Sequence, residues 1–153
     1  MQMAKQLSVS LVNKPGRLSA MLGALNKEKV SFRALAVMDS GERGTVRFVP
    51  DDIDSAKKVL EKISINCDPT DVLLVEVPSH AGAFRNICEK LAAEHLNIDY
   101  AYCSFYAARG VRSGALAVIK VNDLSKAQQV LSENGTTARR TPRRPGRRPV
   151  HAR

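Results

Sequence analysis

An internal repeat sets the tightest limit on what this chain can fold into. The apolar positions Leu18, Met21, Leu22 and Leu25 return as Phe84, Ile87, Cys88 and Leu91, each 66 residues further on. Ile53, Ala56, Val59 and Leu60 return as Leu124, Ala127, Val130 and Leu131, now 71 further on. Steps of three and four residues put each set along one stripe of an amphipathic helix. The difference, 71 less 66, is five residues, and it falls in the connection Ala107 to Gly114, where insertion is cheap. Two four-point stripes at constant offset mark a tandem duplication.

The elements between the helices follow from alternation. Leu7, Val9 and Leu11 face one way along LSVSLV, the pattern of a strand. Val30 to Asp39 and Thr45 to Val49 read as two more strands, joined by a hairpin through Ser40 to Gly44. Asp51 and Asp52 suit the positive start of the second helix, and Ile63-Ser64-Ile65 is expected as a short closing strand. Strand, helix, strand, strand, helix, strand then recurs through Val72–Val77, the Phe84 helix, Ile98–Tyr106, Ala115–Val121 and the Leu124 helix.

The expected fold is α+β: two tandem ferredoxin-like βαββαβ units with antiparallel sheets and helices on one face. The first spans residues 1–69 and the second 70–137, followed by a tail at 138–153. Only Asn134 to Thr137 remain to close the second unit, so its closing strand is weak or missing and an edge is left open to another chain. The sheet face away from the helices needs a partner or water. Both features point to a homo-oligomer.

Charge divides the chain sharply. The net charge is +9, yet Ala138 to Arg153 contains seven Arg and no acid, leaving +2 for residues 1–137. With Pro142, Pro145, Gly146 and Pro149 interspersed, the tail cannot pack a core and is expected to be disordered or extended. It could attract phosphates in a salt-sensitive manner. No apolar run approaches the ~20 residues that span a bilayer, and no secretory pattern opens the chain; no membrane partner and a cytoplasmic location are expected. Cys67, Cys88 and Cys103 share no metal-like spacing with one another or with His80, His95 and His151, so buried or half-buried free thiols and no metal are expected.

The junction VNKPGRL, Val12 to Leu18, carries the most specific signal. Pro15 suits a first helical position, and Gly16 lets a ligand approach the backbone. N–H groups that open a helix lack internal partners and suit a carboxylate. Asn13 either caps the helix or offers a donor and an acceptor to a ligand. The Asn13, Pro15, Gly16 and Leu18 pattern resembles the entry loop of ACT domains, small ligand-sensing modules of amino-acid metabolism. In the second unit Ser79-His80-Ala81-Gly82-Ala83-Phe84 occupies the same place, keeping Gly82 and an apolar Phe84 but replacing Asn and Pro by Ser79 and Ala81. The resemblance covers roughly residues 5–133 and is nearest to free-standing tandem ACT proteins.

That resemblance implies a ligand set of Asn13, Lys14, Pro15, Gly16, Leu18, Ser79, His80, Ala81 and Gly82, with an amino acid or similar small carboxylate held near an interface between ACT units. His80 either bonds the ligand carboxylate or is an exposed loop residue. His95 stands at a helix end, where a cation suits the dipole. Tyr100, Tyr102 and Tyr106 alternate on one strand face, either lining a cleft or packing against a neighbouring sheet. No P-loop, HExxH or GxSxG is present, so a non-enzymatic regulatory protein without cofactors is expected. It either acts on a separate enzyme partner of unknown identity or simply binds and buffers its ligand. The competing class is a nucleic-acid-associated protein working through its basic tail.

Overall fold

Residues 1–104 and 114–133 are described by the computed structural model. Their elements are β1 (Gln2–Val12), α1 (Arg17–Lys27), β2 (Phe32–Ser40), β3 (Arg43–Pro50), α2 (Ile53–Lys62), β4 (Cys67–Pro78), α3 (Ala83–Ala93), β5 (Ile98–Ser104), β6 (Gly114–Val121) and α4 (Leu124–Glu133). The Ala107–Ser113 connection, Tyr106, Asn134–Thr137 and the basic tail lie outside the described residues.

All six strands join one antiparallel sheet in the order β2-β3-β1-β4-β6-β5. The alternating apolar positions of β1 and β3, Leu7, Val9, Val46 and Phe48, pack under α1 and α2 against Met21, Leu25, Ala56 and Leu60. Leu73, Val75, Ala117 and Ile119 repeat that arrangement with Leu91 and Ala127. The duplicated stripes thus make two equivalent cores on one face of a shared sheet.

β4 belongs to both units. Its first part pairs with β1, from Val9 opposite Cys67 to Gln2 opposite Leu74. Its second part, Leu73 to Pro78, pairs with β6. The expected strand at Ile63-Ser64-Ile65 is corrected here. Ser64 takes a left-handed φ of 57° and the Ile65 N–H still bonds the Leu60 carbonyl at 2.9 Å, so these residues finish α2 as a Schellman-type cap. The closing strand starts at Cys67 instead. On the edge of β4 away from β6, β1 reaches only as far as Leu74, leaving Val75 to Pro78 beyond the last pair; the residues expected to close the second unit, 134–137, lie outside the described residues.

The second face of the sheet finds its partner within the chain. The sheet curls until its outermost strands, β2 and β5, touch. Ala34, Val49, Val72, Leu74 and Val118 form a third core inside the curl. Gln6 stands fully buried beside it, its amide donating to the Tyr100 hydroxyl at 2.7 Å and accepting from the Tyr102 hydroxyl at 2.8 Å. Of the two readings of the tyrosines, packing across a sheet face is the one seen for Tyr100 and Tyr102. The Arg47 guanidinium lies 3.9 Å from the Tyr100 ring centroid, a cation–π contact.

Candidate functional site

Each half of the sheet delivers its first strand into a tight turn before a helix. In the first, the Arg17 N–H bonds the Lys14 carbonyl at 3.3 Å, with Pro15 and Gly16 between them. Gly16 has φ 87° and ψ −12°. Pro in the second position and a left-handed Gly in the third define a type II turn. In the second half the Ala83 N–H bonds the His80 carbonyl at 3.3 Å, and Gly82 has φ 83° and ψ −2°. The turns are the same despite Ala81 standing for Pro15, because the glycine, not the proline, supplies the one conformation other residues resist.

Two expectations about this loop are corrected by its geometry. Pro15 is not the first helical residue: α1 starts at Arg17 with Gly16 as its N-cap. Asn13 is not the cap either: the N-caps of α1 and α3 are Gly16 and Gly82, and among the described residues neither helix start has a side-chain cap bond. Asn13 instead ties the loop to the β2–β3 turn, its backbone N–H on the Glu42 carbonyl at 2.8 Å and its amide on the Gly41 carbonyl at 3.3 Å. The first intrahelical bond runs from the Ala20 N–H to the Gly16 carbonyl. The Leu18 and Ser19 N–H groups precede it, without a side-chain cap.

Space and charge at the loop suit an anion. A Cβ built on Gly16 or Gly82 meets nothing within 4 Å, so the approach to each turn is open. Asn13, Lys14, Arg17 and Leu18 line a shallow depression of about 70 Å³ with Val37, Gly44 and Val46. Lys14 and Arg17 are exposed there. His80 is exposed and its Nδ1 lies 3.1 Å from the Ala81 carbonyl, within its own loop. The two loops do not meet: they leave opposite ends of the antiparallel β1–β4 pair.

Other reactive groups offer little chemistry. Cys67 and Cys88 are half-buried, whereas Cys103, expected to be covered, is exposed because it faces outward on β5. Burial pushes the Cys67 thiol above its usual range, which disfavours the nucleophilic thiolate. Among the described residues no group of three His, Cys, Asp or Glu is placed to hold a metal. No helix among them is long and apolar enough to cross a membrane. His95 lies just past α3 with φ 58°.

Comparison with known proteins decides the family. A model described as an ACT domain pair matches residues 1–137. The chain belongs to the ACT domain pair family. Protein BT0572 from Bacteroides thetaiotaomicron is 32% identical, with a TM-score of 0.79 over 87% of this chain and 89% of that one. The ligand-free regulatory subunit of aspartate kinase from Thermus thermophilus shares the fold at 14% identity, with a TM-score of 0.61 over 86% of this chain and 91% of that one. The corresponding subunit from Thermus flavus is 15% identical, with a TM-score of 0.58 over 86% and 94%. Among curated proteins no match was found.

Membership in the ACT pair explains the doubled turn but not everything around it. Sequence reasoning missed the Gln6–Tyr100–Tyr102 cluster and the pairing of Arg17 with Arg43 beside the first loop. The first left no clear local signal, since Gln6 stands between Lys5 and Leu7 and shares its strand face with Ala4 and Ser8. The second had none, since only the β1–β3 register, which sets Arg43 opposite Val12, brings Arg43 beside the turn that leads to Arg17.

Proposed function

We propose that this ACT pair is a non-enzymatic regulatory protein that senses a small carboxylate ligand, an amino acid in the first instance, at its strand-to-helix turns. The observation that carries the proposal is the duplicated type II turn, with an open approach over a left-handed glycine and a helix start that no side chain caps. Helix N–H groups in that state can donate to a carboxylate, and membership in the ACT pair family supports reading the ligand as an amino acid. Asn13, Lys14, Pro15, Gly16 and Leu18 form the first ligand loop and Ser79, His80, Ala81 and Gly82 the second.

Because the loops leave opposite ends of the β1–β4 pair, a ligand that bridges two ACT units through them needs a second copy of the chain. Binding then favours one association geometry over others, and an enzyme partner reads that shift. The fold likeness to regulatory subunits of aspartate kinase supports this architecture without naming the partner.

Calorimetric titration of loop variants tests the proposal. Gly16→Val forces a branched residue to φ 87°, a strain of about 1–2 kcal/mol, and also fills the approach; ligand binding should be abolished. Asn13→Ala frees the loop from the Gly41 carbonyl and should weaken binding by about 1–3 kcal/mol. Ser79→Ala should do less. Circular dichroism must show each variant folded. A folded Gly16→Val protein with unchanged affinity would reduce the junction to a turn.

A further inference from the structure

A larger groove lies on the other side of the first turn, and it has a twin. About 480 Å³ in volume, it runs along Ser10 to Val12, past the last β1–β4 pair, and is walled by α1 and the end of α2. The twin, about 390 Å³, runs along Val75 to Pro78 beside α3. The repeat offset maps Ser10 onto Glu76, Arg17 onto Ala83 and Met21 onto Ile87. Strand register completes the map: Arg43 pairs with Val12, and Gly114 pairs with Pro78. The duplicated shape has therefore been given different chemistry: the second groove keeps one lysine, Lys90, together with an acid, Glu76, and has His80 at its loop. The first groove holds two arginines and no acid among its lining residues; at the same places the second has an alanine, a glycine and a glutamate.

Arg43 is held in place rather than waving in solvent. Its Nε donates to the Ser10 hydroxyl at 2.7 Å and its Nη2 to the Ser10 carbonyl at 3.0 Å. That anchors the planar head at the strand edge, where Arg17 lines the same space from α1. The remaining wall is mostly apolar, with Leu11, Met21, Ile63 and Ile65, but includes the polar Ser64 and Asn66, and Ile63 is 40% exposed at the rim. Volume, wall and charge match a small organic molecule with an apolar body and a doubly negative end. A single negative charge would leave one guanidinium uncompensated.

We propose that this groove binds a small organic dianion, either a phosphate ester or a dicarboxylate, and that the second groove has lost that capacity. The groove shares Leu11, Val12 and Arg17 with the depression at the first loop but extends away from it to Arg43 and the end of α2, so a chain of this kind reads two ligands rather than one. Guanidinium forks suit both phosphoryl and carboxylate oxygens, and the test separates the two sources.

Thermal-shift and calorimetric titrations of the full chain use inorganic phosphate, succinate and, as a single-charge control, acetate. The tail arginines attract anions in every variant alike, so the groove is read from differences. Three substitutions carry the test: Arg17→Ala and Ser10→Glu, which install the residues of the second groove, and Arg43→Gln. Each alters an exposed side chain, and circular dichroism checks that the fold is kept. Phosphate, succinate or both should raise the melting temperature of the wild type well beyond acetate. Arg17→Ala, Arg43→Gln and Ser10→Glu should each weaken that dianion at least tenfold. Phosphate alone would identify a phosphoryl ligand, and succinate alone a dicarboxylate. Acetate as effective as the dianions, no stabilisation by either, or affinities within twofold across the variants would overturn the inference. Amino-acid binding with both dianions inert would sink it while leaving the loop proposal standing, and the converse would do the reverse.

Discussion

Gln6 shows how one side chain couples the two halves of the molecule. It sits at 0% exposure on β1, and both polar atoms of its amide are used by tyrosines of β5, 94 and 96 residues away. A buried amide of this kind costs about 1–3 kcal/mol when its partners are removed. Tyr102 pays for the same burial in its ionisation: desolvation first, then the neighbouring Tyr100, pushes its hydroxyl well above the ordinary 10.0. The unfolded chain therefore loses that proton more readily than the folded one. Stability from Tyr102 is complete below about pH 10 and falls as pH rises past it. Urea titrations between pH 8 and 11 should show a decline in the wild type that Tyr102→Phe reduces. Equal declines in both would place the alkaline loss elsewhere.

Elements were the most legible scale. The stripes Leu18–Leu25 and Phe84–Leu91 gave helices at α1 and α3, because a 3.6-residue period survives whatever the surroundings do. Asp52 was readable as a helix start: its carboxylate accepts from the Ser55 hydroxyl and from the Ser55 and Asp54 N–H groups. The Ser55 hydroxyl bond first, then its N–H bond, hold the Asp52 pKa down. Boundaries set by long-range pairing were not readable. Nothing local in Cys67 to Pro78 says that one strand serves two units, and nothing in Gln2 to Gln6 says that it covers the edge of β4. Within the candidate site the glycines were legible from their type, while the true role of Asn13 depended on a carbonyl 28 residues away. Equivalence of the two cores makes a quantitative prediction. Leu25 and Leu91 are 1% and 0% exposed, so Leu25→Ala and Leu91→Ala should each cost roughly 2–5 kcal/mol in chemical denaturation. A negligible loss at Leu91 would mean that the second half is loosely packed.

For the whole molecule, the curl replaces what a partner was expected to supply. The inner core of Ala34, Val49, Val72, Leu74 and Val118 covers the sheet face, and β1 covers most of the edge of β4. Of the two sequence-based motives for self-association, the uncovered sheet face is met within the chain, while the edge of β4 beyond Leu74 has no pair in β1. Deleting Ala138 to Arg153 should leave folding and small-molecule binding intact while removing any salt-sensitive retention on DNA or RNA. Equal retention after truncation would make the folded part the nucleic-acid binder. The central claim, that an ACT pair of this build is a sensor of a small carboxylate, meets its most direct test in a thermal-shift screen of the intact protein against the twenty amino acids. At a concentration 100 times its dissociation constant, a true ligand should stabilise the fold by about 2.7 kcal/mol, and the gain should vanish in folded Gly16→Val protein. No shift with any of the twenty, or a shift that Gly16→Val leaves untouched, would contradict it.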